Sequence, residues 1–466
     1  MAQKSTPEIW WVRRDFRLTD NPALLAAVAA GSAVLPLFVL DPVLLGSGGV
    51  ARTAWLMAAL QQLDTELRVG GGPGLSVVQG RPEVVVPQVA QGCNARQVHI
   101  AADFGPYGSR RDARVRTALA AADVELVTTG SPYGVAPGTL MNKSGTPFQV
   151  FTPFHRAHLE HGVNQPAATV DPAQVRWVDA DDRVRTTDAD PDLVAMVEDA
   201  MSLRSWQEWL GRAHHGADDY AGSNNIPGAD ATSHLSKSLR WGHIHPRTVL
   251  AGLAQHQTKG AAAHGRQVAW RDFFADVLWH RPDATTHPVR REFTAMVSDD
   301  PAQSPSTARK LEAWKQGRTG FPLVDAGMRQ MNTEHWMHNR VRLVTASFLV
   351  KDLHIQWDVG AAYFMEQLHD GDIAQNQLNW QWVAGCGTDA APYFRVFNPS
   401  GQAEKFDGDG AYIRRYVPEL ADVPLTYLFE PWTNPQGLPA GYPAPVVDHA
   451  TERKEALRRY EELKAA

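Results

Sequence analysis

Residues 34–67 read VLPLFVLDPVLLGSGGVARTAWLMAALQQLDTEL. The opening VLPLFVL is an apolar run of the length of one buried strand. The period then changes: Trp55, Ala59, Leu60, Leu63 and Leu67 recur at the spacing of a helical stripe. Strand followed by helix is one unit of a repeating pattern, and it continues on both sides. Further apolar runs are IWWV (9–12), LSVV (75–78), QVHIAA (97–102) and VELVTT (124–129), and SRRDARVRTALAAA (109–122) has the pattern of another amphipathic helix. This alternation predicts a doubly wound parallel sheet, an α/β domain over residues 1–130. GGGPG (70–74) falls between a helix and a strand, the wrong side for a phosphate cradle, and is a turn.

Residues 131–200 are rich in Gly, Pro and Asp with little period, which predicts a connector. From 201 to 466 the pattern is helical with Pro- and Gly-rich breaks, so the expected architecture is α/β followed by all-α. A chain of 466 residues is too long for one core. A formal net charge of −6 gives no bulk attraction to nucleic acid, so any DNA site has to be a local basic patch. Two cysteines, Cys93 and Cys386, supply neither a disulfide framework nor a zinc pattern and fit a reducing compartment. MAQKSTPEIWWVRRDF runs straight into a strand with no signal h-region, and no stretch is apolar for long enough to span a bilayer. A cytoplasmic monomer without a membrane partner is expected.

Eleven of the 15 tryptophans lie beyond residue 200. Core packing accounts for most single Trp. It does not account for HDGDIAQNQLNWQW (369–382), where Asp370, Asp372 and Asn376 precede Trp380 and Trp382 with no basic residue between. His155, His158 and His161 are spaced like one helical face, for which a structural role outweighs a metal site. His243 and His245, ahead of Pro246, read as a helix entry. DATSHLSKSLRWG (230–242), after Tyr220, is a hydroxyl-rich helix opening of the kind that suits a pyrophosphate. QVAWRDFF (267–274) follows, and then a capped helix carrying Asn339, Arg340 and Arg342. Taken in isolation, Arg342 with Asp370 or Asp372 reads first as a structural ion pair.

Together WWVRRDFRLTDNPAL (10–24), WMHNRVRL (336–343), DGDIAQN (370–376), NWQW (379–382), GTDAAPYFRVFNP (387–399) and YIRRYVPEL (412–420) resemble the DNA photolyase/cryptochrome family over nearly the whole chain. The resemblance implies an antenna domain, a connector and a helical domain holding FAD. It implies FAD contacts from Tyr220, Thr232, Ser233, His234, Leu235, Ser236, Arg271, Asn339, Arg342, Asp370 and Asp372, with Arg342 paired to Asp370 and Asn376 facing flavin N5. His234 stands where Arg is common. Trp380 and Trp357 match an electron-hopping chain. Gln267, Trp270, Asn339, Arg340, Leu343, Trp382, Arg395 and Gln402 match positions that face DNA and a flipped dimer.

The implied activity is light-driven repair of cyclobutane pyrimidine dimers in UV-damaged DNA, of the class I kind. The alternative is a cryptochrome-type blue-light receptor; Asn376, where receptors carry Asp or Cys, favours repair. Repair of (6-4) lesions calls for histidines where Asn339 and Leu343 stand. A nicotinamide-dependent oxidoreductase lacks a G-x-G-x-x-G after a strand. ADFGPYGSRRDARV (102–115) is similar to the deazaflavin (8-HDF) antenna type, with methenyltetrahydrofolate as the alternative; folate binders carry Asn-Glu at Tyr107 and Gly108. Further positions depart from the pattern, Leu343 among them, where Met is common. Val297 stands for the exit Trp of the electron chain, beside an apparent insertion AQSPSTARK (302–310), which leaves Trp314 as another exit. Gln267 stands for a Glu.

Overall fold

The computed structural model describes residues 6–31, 33–180, 189–388 and 394–465. They form two compact units, Met1–Asp218 with Ser233–Pro282, and Asp219–Thr232 with Asp283–Ala466.

In the first unit five parallel strands, β1 (Glu8–Val12), β2 (Val34–Leu40), β3 (Ser76–Gln79), β4 (Gln97–Ile100) and β5 (Glu125–Thr128), stand in the order β3-β2-β1-β4-β5. Trp10 pairs with Pro36 on one side and His99 on the other. Side chains alternate across the sheet: Ile9 and Trp11 pack with Leu37, Val98 and Leu126, whereas Trp10 and Val12 pack with Phe38, Trp55 and Leu63. Both faces are covered, which is why the strands read as unbroken apolar runs. The stripe from Trp55 to Leu67 lies buried on the helix Gly49–Val69. Trp55 Nε1 donates to Nε2 of the fully buried His243 at 3.2 Å, and burial pushes that imidazole down to about 4. His245 caps the helix Pro246–Leu253, as the Pro spacing predicts.

Residues 131–180 and 189–200 carry more regular structure than their composition suggests. They contribute to helices Phe151–His161 and Pro191–Ser202. The first shows why its signal was weak: Phe151, Phe154 and His158 are its only buried residues. His158 meets the Asp272 carboxylate, 3.1 Å from Nε2, which also accepts from the Gly134 and Val135 amides at 3.2 and 2.9 Å. His158 is thus a structural brace.

The second unit is helical. Pro322 and Pro399 open helices Pro322–Glu334 and Pro399–Phe406, where a missing N–H costs nothing. Asp372 caps Ile373–Ala384, which ends at Gly385 with φ 84°, a left-handed position suited to glycine. Residues 302–310 feed the helix Pro305–Lys315, which delivers the fully buried Trp314 to the core; its Nε1 donates to the Thr345 carbonyl at 3.0 Å. The charged C-terminal run forms His449–Ala465, anchored by buried Ala456 and Tyr460. Among the described residues no helix is long and apolar enough to cross a membrane.

Candidate functional site

Three helices of the second unit, Asn339–Lys351, Trp357–Gln367 and Ile373–Ala384, wall a cleft of about 520 Å³. Asn339, Arg342, Leu343, Asp370, Asp372, Asn376 and Trp380 all line it. The structure decides between the two aspartates. Arg342 forks onto Asp370, Nη1 to Oδ1 at 3.2 Å and Nη2 to Oδ2 at 2.8 Å, while its Nε donates to the Met337 carbonyl at 2.7 Å. A bidentate guanidinium fixes both planes. Asp372 instead accepts from the amides of Ala374 and Gln375 at 3.0 and 3.2 Å, so it starts the next helix at the cleft wall.

Asn376 is committed on one side only. Its Nδ2 donates to the Ala361 carbonyl at 2.9 Å and to Gln377 Oε1 at 2.8 Å. Both protons are used, so Oδ1 is what the side chain can offer the cleft: an acceptor that does not ionise. Trp380 is packed edge-on against Phe364 at 5.0 Å and Trp314 at 6.2 Å between ring centroids. Gly360 makes the fit possible, since a Cβ there would lie 2.2 Å from Trp380 Cη2. Trp357 opens the same helix one turn earlier.

The other face of the Asn339–Lys351 helix holds cations. Arg340 donates through Nε and Nη2 to Asn225 Oδ1 at 3.1 and 2.6 Å and lies over the Phe406 ring. Burial, and repulsion from Arg395, hold its pKa below the usual guanidinium value. Trp382 lines a second cleft of about 430 Å³ with Arg290, Lys351, Arg395 and Phe397. Gln402 sits half-buried on the helix Pro399–Phe406. Lys351 is a residue that sequence reasoning missed. It is 3% exposed, donates to the Arg395 carbonyl and lies 4.3 Å from the Phe394 ring centre; burial brings its pKa down to about 7. The available signal was a lone cation ending the apolar run ASFLVKD (346–352).

Tyr220 and Thr232 belong to this unit; Ser233, His234, Leu235, Ser236, Gln267, Trp270 and Arg271 belong to the first. Burial raises the Tyr220 hydroxyl to about 12. Ser233 Oγ lies 2.9 Å from His264 Nε2, and Leu235 begins the helix Leu235–Trp241 after His234 at φ 51°. Arg271 donates to the carbonyls of Pro132 and Leu239 at 2.8 and 3.1 Å and covers Tyr133, so much of its fork is spent on backbone. Gln267 is exposed and Trp270 half-buried on the helix Lys259–His280. Trp270 stacks flat on Phe151 at 3.7 Å and 8°. The brace comes from residues that read as connector.

Comparison with known proteins gives these clefts a context. Residues 8–173 match the DNA photolyase domain and residues 264–462 the FAD-binding domain of DNA photolyase. A deoxyribodipyrimidine photo-lyase of Streptomyces griseus is 41% identical over 96% of this chain and 96% of its own. The chain belongs to the DNA photolyase family. In structure this photolyase-family chain is similar to a bacterial class III photolyase from Agrobacterium tumefaciens, with TM-score 0.88, 33% identity and coverage of 100% and 99% of the two chains. A cryptochrome of Synechocystis gives TM-score 0.85 at 25% identity, covering 98% of this chain and 100% of its own. The doubly wound sheet and helical unit are the photolyase fold.

Proposed function

We propose that the protein repairs cyclobutane pyrimidine dimers in UV-damaged DNA under blue or near-UV light, with FAD in the 520 Å³ cleft. The observation that carries this reading is Asn376, an amide with both protons spent on the protein and a carbonyl oxygen left for the cleft. That oxygen suits a protonated N5, the form present in reduced flavin. Reduced FAD, when bound, supplies the photoexcited one-electron donor that splits the dimer and regains its electron. The chain supplies the rest. Arg342 and Asp370 fix one wall as a forked pair, and Asp372 holds a carboxylate at the helix start. Asn339 and Leu343 line the same cleft. Tyr220, Thr232, Ser233, His234, Leu235, Ser236 and Arg271 match the family's contacts to the rest of the cofactor.

Trp270 and Trp382 offer indole faces to the flipped bases, a contact every base face permits. Arg340 and Arg395 meet the backbone with Gln402, which makes binding salt-dependent. Trp380 and Trp357 carry electrons inward when the flavin is oxidised. The class I assignment competes with the class III neighbour, and blue-light reception competes with repair. HPLC of thymine-dimer loss under blue light, with fully reduced FAD, tests the reading: repair is expected, and its absence in protein that holds FAD moves the chain to the receptor alternative.

For the antenna we infer a deazaflavin, 8-HDF, in the first unit. A crevice of about 310 Å³ lies where β1 and β4 end, lined by Arg13, Arg17 and Asp103, at the switch point where open sheets take ligands. A Cβ at Gly108 would sit 2.1 Å from the Asp103 carboxylate, which Arg111 holds at 3.1 Å, so the Glu of folate binders has no room there. Chromophore released from protein made in a deazaflavin-producing host tests this; released methenyltetrahydrofolate overturns it.

A further inference from the structure

One opening in the second unit belongs to neither the FAD cleft nor the basic face. An opening of about 870 Å³, part of it open solvent, lies among residues 286–298 and 350–358, Ala384, Cys386, Phe394 and the helix His449–Ala465. Phe293, Met296, Ile355, Trp357 and Cys386 form apolar walls, and Val297, 61% exposed, stands at the rim where a larger side chain would fill the space. The apolar lining with a few polar groups at its edge is that of a small-molecule site.

Its polar groups narrow the ligand. Arg459 is neutralised by Asp299 at 2.9 Å and Glu455 at 2.7 Å, and His354 faces Glu452 at 2.7 Å. Asp358 lines the cleft and is exposed, which disfavours anions. Ser298 and Gln356, joined at 3.0 Å, and the Nε2 side of His287, whose Nδ1 meets Thr286 Oγ1 at 3.0 Å, line it for hydroxyl contacts. A neutral, flat, hydroxylated ring fits: apolar faces for Trp357 and Phe293, polar edges for the rim. Trp357 also begins the helix whose Gly360 receives Trp380, so the cleft sits at the outer end of that indole pair.

We propose that this cleft binds a neutral dihydroxyaromatic reductant of about two fused rings, which returns an electron to Trp357. This rests on the reading of Trp380 and Trp357 as electron carriers, with photoexcited oxidised FAD as the oxidant. When Trp357 is a radical cation, the ligand gives it one electron and loses one hydroxyl proton to water at the rim. The products are neutral Trp357 and an aryloxyl radical that leaves.

The probe is 1,4-dihydroxynaphthalene, used anaerobically with the FAD-loaded protein. Equilibrium dialysis in the dark is expected to show saturable binding, lost in Ser298→Trp, which fills the rim. After a light flash, decay of the tryptophan radical is expected to accelerate hyperbolically with probe concentration. Redox-inert 1,4-dimethoxynaphthalene should compete in the wild type, a test that needs no variant to fold. No dark binding overturns the site. Dark binding with a strictly linear decay rate overturns the donor role. If flashes produce no tryptophan radical at all, the electron-carrier reading fails, while dark binding still judges the site by itself.

Discussion

Two helices of this molecule carry an amide one turn ahead of an indole, and the pairs are built in opposite ways. On Ile373–Ala384, Asn376 has both amide protons bound to the protein and Trp380 is 3% exposed. Phe364, Trp314 and the bare face of Gly360 hold that indole. On Lys259–His280, Gln267 is exposed and makes no hydrogen bond to another described residue, while Trp270 is half-buried with one face on Phe151. The first pair has its geometry fixed before anything binds. The second leaves an amide and an indole face to be ordered by a ligand. Fixed polar groups suit a resident cofactor, whose binding then costs little reorganisation; adaptable ones suit a substrate that arrives and leaves.

The comparison implies that disturbing the fixed pair's surroundings does the greater harm. Asp370→Ala leaves the Arg342 guanidinium, 24% exposed, without its carboxylate. Breaking a largely buried pair in this way costs on the order of 3 kcal/mol. Loss of FAD and a lower Tm are the expected outcomes, measured by flavin-to-protein absorbance ratio and thermal melting. An Asp370→Ala protein that keeps its flavin would show that the cleft is held by other contacts.

Trp380→Phe keeps the packing and removes the easily oxidised ring. Light-driven FAD reduction should vanish while repair by chemically reduced enzyme persists. Trp314, buried against Trp380, gives a sharper version. Because its centroid is 6.2 Å away and Tyr363 lies 5.9 Å beyond, Trp314→Phe should slow photoreduction if electrons use that branch. No change in Trp314→Phe, with loss in Trp357→Phe, assigns the traffic to Trp357. Fast photoreduction surviving both Trp380→Phe and Trp357→Phe breaks the scheme.

How much of this the sequence carried depends on where the determinants lie. β1 to β5 were legible because a strand buried on both faces writes itself as a local apolar run. The aspartates, Asn376 and Trp380 lie within eleven residues, so one motif held most of a wall. The residues alone left Asp370 and Asp372 open as partners of Arg342, because the pair is 28 residues apart and both spacings fit; it was the family resemblance that singled out Asp370. The Phe151 brace was hidden for a related reason: its helix buries three residues, too few to impose a period. The cleft beside Trp357 is assembled from four distant segments, and only the Val297 departure hinted at it.

The adaptable pair has a pH-sensitive support. His155 stacks on Phe151 at 5.3 Å, on a ring that also takes Trp270 and the Arg266 guanidinium. Burial, then Arg266, then His158 hold its pKa below the ordinary 6.5. The unfolded chain therefore binds the extra proton first as pH falls. Stability is fully present above 6.5 and declines as pH falls from there toward the lower folded value. His155→Phe should flatten that part of the Tm-versus-pH curve by a modest amount, because His243 and other carboxyl and imidazole groups also contribute to acid loss. An unchanged curve separates His155 from the brace.

The smallest expected effect is at Gln267, where the ligand rather than the protein sets the geometry. Family relatives place Glu three residues before the stacking Trp, and here the side chain is an amide. An amide donates an N–H to a pyrimidine carbonyl as a carboxylic acid donates its O–H, so dimer binding should be preserved in either variant. The two differ once charge develops on the bases. A carboxyl group can share its proton with the dimer radical anion, and an amide cannot titrate. Gln267→Glu should therefore raise the repair yield per absorbed photon, with little change in Tm because the side chain is exposed and carries no internal bond. The measurement needs saturating dimer oligonucleotide and fully reduced FAD in both proteins. An unchanged or lower yield would mean that the amide already does what the acid does elsewhere, and that the exposed pair contributes only stacking. A rise together with a higher Tm would also break the comparison, since it would show that position 267 is coupled to the fold before DNA arrives.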